Sequence, residues 1–219
     1  MIEFDVRVMT KALPFLLTGM KMTVYFTISG LFFGFILGSI IGLGRTSKNR
    51  TLHGAASVYV EIVRGTPILV QAIWIYYALP QLLGFNLNTL AAGTAAIAIN
   101  SGAYIAEVVR GAVEGVSKGQ SEAGRSLGLS KLQTMRYIIW PQAFRRMIPP
   151  LGNQFIISLK DTSLFTIISA AEMTQKSQIV VAANFKYLEI FTLLALLYLS
   201  LTIPMTMVLR TIERRLDVS

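Results

Sequence analysis

The sequence contains no cysteine and one histidine, His53. The first absence excludes disulfides and thiol chemistry; the second leaves too few ligands for a metal centre, so no metal site is expected. Charged residues are scarce, at 14% of the chain, where soluble domains carry roughly 25%. No phosphate-cradling loop of the form G-x-x-x-x-G-K-[ST] occurs, so no nucleotide site is expected within the chain. His53 falls just behind the basic stretch from Arg45 to Arg50 and reads as a solvated or interfacial residue, which leaves the many serines without a triad partner. The expectation is a protein that catalyses nothing by itself.

What the chain has in abundance is apolar surface: 53% of its 219 residues are hydrophobic. Its net charge of +9 is spread between apolar segments instead of forming one patch with aromatic interleaving, which argues against nucleic acid as a partner. The N-terminal stretch MIEFDVRVMTKALPF carries acids and has no small-residue cleavage site, so it reads as mature sequence.

Crossing ~30 Å of hydrocarbon takes about 20 apolar residues. No charge occurs between Lys21 and Arg45, giving a first span at about 22–44. The uncharged run from Gly65 to Ala106 is long enough for two crossings, divided by the turn formers of PQLLGFNLN, Pro80 to Asn88. Spans two and three fall at about 55–79 and 89–113. A fourth, at about 147–170, holds Lys160 and Asp161 near its middle, and a fifth, at about 190–209, contains Pro204. The sequence therefore predicts an all-α polytopic membrane protein with five transmembrane helices, forming one domain over 1–219. Arg45, Lys48, Arg50, Arg110, Lys118, Arg125, Lys131, Arg136, Arg145, Arg146, Arg210, Arg214 and Arg215 flank one side. Arg7, Lys11, Lys21, Lys176 and Lys186 flank the other. Cytoplasmic flanks hold the basic excess, which puts the N-terminus outside and the C-terminus in the cytoplasm.

The loop at about 117–141 is then cytoplasmic. Ser117 with Gln120, and Ser130 with Gln133, have capping-box spacing. Gly128 precedes the second start, where a helix can end in the left-handed conformation. Two short helices with a sharp corner near Gly128 are expected, with Ala123 and Gly124 leaving a bare surface for another protein.

These residues carry a resemblance. Glu122, Ala123, Gly124, then Gly128, then Ile138, Trp140 and Pro141 resemble, in type and spacing, the EAA loop of ATP-binding-cassette importer permeases. Gly124 replaces an alanine of that pattern and Trp140 a leucine. The stretches EIVRGTPILVQ from Glu61, NSGAYIAEVVRG from Asn100, PQAFRRMIPPLGNQFI from Pro141 and LKDTSL from Leu159 are similar to the polar amino acid branch of this MetI-like family. The resemblance implies that Glu122, Ala123, Gly124 and Gly128 couple the chain to a separate ATPase subunit, which uses the ATP, so that this chain needs no cofactor. It also implies a second permease subunit, a substrate-binding protein outside, a polar or basic amino acid as substrate, and a bacterial cell membrane with its lipid as the setting.

Polar groups inside spans are functional suspects because lipid offers them no partner. Asn100, Tyr104, Glu107 and Gly111 recur on one face of span three, and Gln154, Ser158, Asp161 and Phe165 on one face of span four. Asn100, Tyr104, Gln154, Ser158 and Asp161, with Thr66 beside Pro67, are the candidate substrate contacts; interhelical bonding that merely holds the bundle is the alternative for each. Pro67 marks either a break beside the site or a displaced helix start. Glu61 and Arg64 have the spacing to pair at the cytoplasmic boundary. A carrier driven by an ion gradient is the rival function; it predicts an internal repeat, and none is evident.

Overall fold

A computed structural model describes residues 4–216. Residues 1–3 and 217–219, which include the start of the N-terminal stretch and both ends of the expected domain, lie outside the described residues. The described residues are helical throughout, with no strand. The order is α1 (Val6–Arg45), α2 (Arg50–Arg64), α3 (Ile68–Ile73), a π turn (Trp74–Ala78), α4 (Leu79–Leu83) and α5 (Thr89–Glu114). Then come α6 (Lys118–Ser126), α7 (Lys131–Thr134), a second π turn (Met135–Ile139), α8 (Trp140–Asp161), a 3-10 segment (Thr162–Ile168), α9 (Met173–Asn184) and α10 (Tyr187–Leu216).

The two π turns have one cause. Each lies immediately before the proline of the next helix, Pro80 in α4 and Pro141 in α8. A proline has no amide and its ring clashes with the carbonyl four residues back; widening the turn by one residue relieves both problems.

The centre of the fold is the α1–α5 pair. Gly30, Gly34, Gly38 and Gly42 recur every fourth residue on α1 and meet Ile97, Ser101, Gly102 with Ile105, and Ala106 with Val109 on α5. Small residues at that interval let helix backbones touch, which is how helices associate where lipid supplies no hydrophobic drive. Both lists of partners ascend together, so α1 and α5 run parallel. The intervening α2–α4 must therefore return across the bundle.

Ile105, Val109 and Ala112 of α5 cluster with Ile139, Ala143 and Met147. Arg146 of α8 reaches Gly115 at the end of α5, and Phe165, past the end of α8, lies against Gly93 near the start of α5, so α8 runs antiparallel to α5. Ala12 and Leu16 of α1 cluster with Ile190, Leu193 and Leu197, and the Asp5 amide at the head of α1 donates to Glu189 in the first turn of α10, so α10 runs parallel to α1. A third cluster joins Phe26, Ala72, Ile75, Ala96, Ile97, Phe165 and Ile168, with the Phe26 and Phe165 rings edge to face at 5.8 Å.

Helices α1, α5 and α10 are long and apolar enough to cross a membrane, and α2 with α3–α4 makes a fourth if that bent pair is one crossing. Helix α8 has 22 residues but carries Arg145, Arg146, Lys160 and Asp161. Sequence and structure agree closely on span three, 89–113 against Thr89–Glu114, because Asn88 caps its start by accepting from the Ala91 amide. They differ elsewhere. Span two is no continuous helix: α2 and α3–α4 meet at 100° across Gly65 to Pro67. The regular helix of span four ends at Asp161 and continues as a 3-10 segment. Within 171–189 the chain forms α9, Met173–Asn184, with Met173, Ser177 and Val181 buried.

Glu172 caps α9. Its carboxylate accepts the Thr174 and Gln175 amides, each at 2.7 Å, and a 3.3 Å bond from the Tyr198 hydroxyl. The Met173 amide donates to Thr23 of α1. Burial pushes the Glu172 carboxyl up to about 7, with the two amide bonds pulling the other way.

Candidate functional site

The site begins with what Pro67 takes away. Residue 67 is the position whose amide would bond the Val63 carbonyl in a continuous helix, and proline has none. Helix α2 stops at Arg64, and Pro67, with φ −61° and ψ 140°, sits at the N-cap of α3. Both readings of Pro67 therefore hold at once: it marks a break, and it precedes a helix start. The Gln71 side chain takes over the vacant role. Its Nε2 donates to the carbonyl oxygens of Val63 at 2.8 Å and Thr66 at 3.0 Å, and lies 3.0 Å from the Thr66 hydroxyl oxygen. Asn100 of α5 donates from Nδ2 to Gln71 Oε1 at 3.2 Å.

Beside this break lies a pocket of about 370 Å³, lined by Arg64, Gly65, Thr66, Pro67, Ile68, Asn100, Tyr104, Gln154, Ile157 and Asp161. That is the size range of small-molecule sites. Five of the six expected contacts converge here: Thr66, Asn100, Tyr104, Gln154 and Asp161. The sixth, Ser158, is buried beneath the wall and pairs with Gln154 Nε2 at 3.3 Å. Phe165, on the same face of the sequence pattern, belongs to the core. Glu107 lies outside the lining and forms ion pairs with Arg45 of α1 and with Arg110, the latter at 2.9 Å. Arg110 reaches on to Glu114.

Arg64 is the pocket residue that sequence spacing misassigned. It makes no ion pair with Glu61; its guanidinium carbon lies 5.3 Å from the centroid of the Tyr104 ring, a cation–π contact. Adjacent to Pro67, its helix ends early and turns the side chain toward α5. The pocket thus holds a cation, Arg64, and an anion, Asp161. Lys160, exposed on α8, is absent from the lining.

At the end of the bundle that carries Arg45, α6 and α7 form an elbow. Gly128 has φ +83° with nothing within 4 Å of an added Cβ, so glycine serves the backbone there. Ser130 and Gln133 form the complete capping box, Gln133 amide to Ser130 hydroxyl at 3.3 Å and Ser130 amide to Gln133 Oε1 at 2.8 Å. Ser117 makes no such side-chain bond. Glu122 and Ala123 are exposed, but Gly124 is buried: a Cβ there would meet Ile138 at 2.7 Å and Thr134 at 3.0 Å. The expected bare surface at Gly124 therefore turns inward and lets the elbow fold on itself. The outward apolar side chains are Leu127, 80% exposed, Leu132, 79%, and Tyr137, 63%. The elbow is tied to the bundle by Gln142 to Gln120 at 3.3 Å and by Arg146, which donates to the Gly115 carbonyl at the end of α5. His53 is exposed and bonds the Arg45 carbonyl through Nδ1 at 2.7 Å.

A helical membrane bundle broken beside a two-signed polar pocket is the architecture of a transport component. The chain belongs to the family of binding-protein-dependent transport system inner membrane components, which it matches over residues 30–218. It is 46% identical over 217 residues to the glutamine transport system permease protein GlnP of Escherichia coli (strain K12), covering 99% of each chain. It is 41% identical over 205 residues to the L-cystine transport system permease protein TcyB of Bacillus subtilis (strain 168), covering 93% of this chain and 87% of that one. The crystal structure of an amino acid ABC transporter with histidines superposes with a TM-score of 0.92 at 37% identity, covering 98% of this chain and 100% of the other.

Proposed function

We propose that this chain is the membrane-spanning subunit of an ATP-driven importer of polar or basic amino acids, and that the pocket beside Pro67 receives the substrate. The observation that carries the reading is the pairing of Arg64 and Asp161 in one pocket with neutral polar groups between. An amino acid is a zwitterion. A guanidinium suits its carboxylate, and a carboxylate suits its ammonium or a basic side chain. Tyr104 and Gln154 supply neutral contacts. The names of GlnP and TcyB support an amino acid as cargo.

The chain crosses the bilayer five times in this reading, α8 being the fourth crossing despite its charges. The alternation of directions among α1, α2–α4, α5, α8 and α10 supports that count, since charged α8 residues beside the pocket need no lipid contact. The basic excess at the elbow end supports a cytoplasmic elbow and C-terminus, with the N-terminus outside. Five helices make an incomplete wall, so two such subunits enclose the path. A separate ATPase subunit docks on the elbow through Glu122, Ala123 and the exposed Leu127, Leu132 and Tyr137, with Gly128 setting the corner. ATP is used there, and a substrate-binding protein delivers cargo on the opposite face.

Equilibrium binding of L-glutamine, L-cystine and L-arginine to the purified permease–ATPase complex in nanodiscs tests the pocket. Arg64→Gln and Asp161→Asn are each expected to weaken binding about tenfold or more, the value of one charge-assisted contact. Unchanged affinity for all three ligands in both variants would remove the pocket from the transport path.

A further inference from the structure

We propose that Gln71 and Asn100 are positioning residues that act as a two-member clamp on the broken helix, setting the angle at which Arg64 and Thr66 are presented to the pocket. The inference rests on the reading of that pocket as the substrate site. Three observations support it. Gln71 Nε2 occupies the place of the amide that Pro67 lacks, at 2.8 Å from the Val63 carbonyl and 3.0 Å from that of Thr66. Its other end, Oε1, is held by Asn100 across the bundle at 3.2 Å. The Thr66 hydroxyl is already committed, 3.1 Å from the Ile62 carbonyl and 3.0 Å from Gln71 Nε2. Asn100 Nδ2 and the Thr66 hydroxyl are thus both bonded at the backbone break, which gives the two residues a supporting role.

A helix break inside a membrane persists only where side chains satisfy the freed backbone groups. One glutamine amide carries two donors, one for the Thr66 carbonyl and one for that of Val63, which otherwise has only the longer 3.4 Å bond from the Thr66 amide and 3.3 Å bond from its hydroxyl. Its acceptor is the handle by which α5 fixes it. Without the clamp, the α2–α3 angle is left to Pro67, which fixes φ but not ψ, and to the packing of α2 and α3 on α5 through Tyr59 and Ala72.

The angle itself can be measured. Spin labels at Val58 and Leu82, both exposed, are the only thiol-directed labels on a chain that has no cysteine. At 1.5 Å per residue their backbones lie roughly 23 Å apart across a 100° bend and about 36 Å apart along a straight helix. In the assembled permease–ATPase complex, Gln71→Leu and Asn100→Leu are each expected to broaden the distance distribution toward longer values. The double variant is expected to be no broader than Gln71→Leu, because members of one network do not add. Binding of the same three amino acids weakens in step with the broadening, while Gln71→Glu, which keeps the acceptor and loses both donors, follows Gln71→Leu. An unchanged distance distribution in Gln71→Leu, or additive effects in the double variant, overturns the clamp. If the distances move as expected while Arg64→Gln and Asp161→Asn leave binding intact, the clamp stands and the pocket reading alone fails.

Discussion

Gly38 gives the most direct test of how the bundle holds together. A Cβ at this position would lie 2.6 Å from the Gly102 carbonyl oxygen and 2.7 Å from Ile105 Cβ. Neither atom is the free end of a side chain, so the conflict is relieved only by moving α1 off α5. Small-to-large changes in a packed interior cost about 1 to 3 kcal/mol, and the clash in Gly38→Ala is expected to fall in that range. Alanine also raises helix propensity by about 0.8 to 1 kcal/mol over glycine, so the net loss is smaller than the clash alone. Gly111, on the same α5 helix, supplies the control, because nothing lies within 4 Å of its Cβ position. Gly111→Ala is expected to be neutral or stabilising. The assay is unfolding of the purified chain in mixed micelles titrated with dodecyl sulfate, followed by loss of helicity. If Gly38→Ala unfolds at the same detergent fraction as Gly111→Ala, close backbone contact is not what joins α1 to α5.

Other outcomes follow from the same geometry. Gly128→Ala places a side chain at φ +83° in open space, so it is expected to cost about 1 to 2 kcal/mol of backbone strain and to weaken co-purification of the ATPase subunit, read by affinity pull-down. Removing the shared anion of the Arg45–Glu107–Arg110 group with Glu107→Gln leaves two facing guanidinium groups, and is expected to destabilise the chain more than Glu114→Gln at the exposed end, measured by the same unfolding assay. Glu172 has a folded carboxyl raised to about 7 from 4.5, so the folded state holds the proton more tightly than the unfolded one. Stability is then greatest at low pH from this group, declines as pH rises between those values, and is level above about 7. Glu172→Gln, which keeps one of the two acceptor oxygens that Thr174 and Gln175 use and cannot ionise, is expected to flatten that slope in unfolding titrations from pH 5 to 8, at a lower overall stability.

Local signals in the sequence carried well into the structure. Ser130 with Gln133, and Gly128, each act through neighbours a few residues away, and each is found in its expected role. Convergence of Asn100, Tyr104, Gln154 and Asp161 was legible because helical spacing already put each pair on one face. What was hidden depends on contacts distant in sequence. Arg64 sits three residues from Glu61, which suggests a pair along one helix turn; the 100° bend instead sends it to Tyr104. Gly124 looked like open surface until Ile138 and Thr134 folded against it. Ser117 has the spacing of a cap without its bond, since the match in residue types does not fix the backbone that must receive it. Gln71 carried no pattern of its own, although a polar residue four places after a proline in an apolar run was a usable clue.

The glycine seam of α1 and α5 also decides which part of the molecule stays still. Where backbones touch, no cushion of side-chain ends remains to glide over, so one helix advances along the other only by a whole four-residue notch, about 6 Å. In the importer proposed above, any change between inward and outward states would leave this seam as a keel, and the strokes of the cycle would fall to the elbowed α2–α4 arm and to α8 on either side of it.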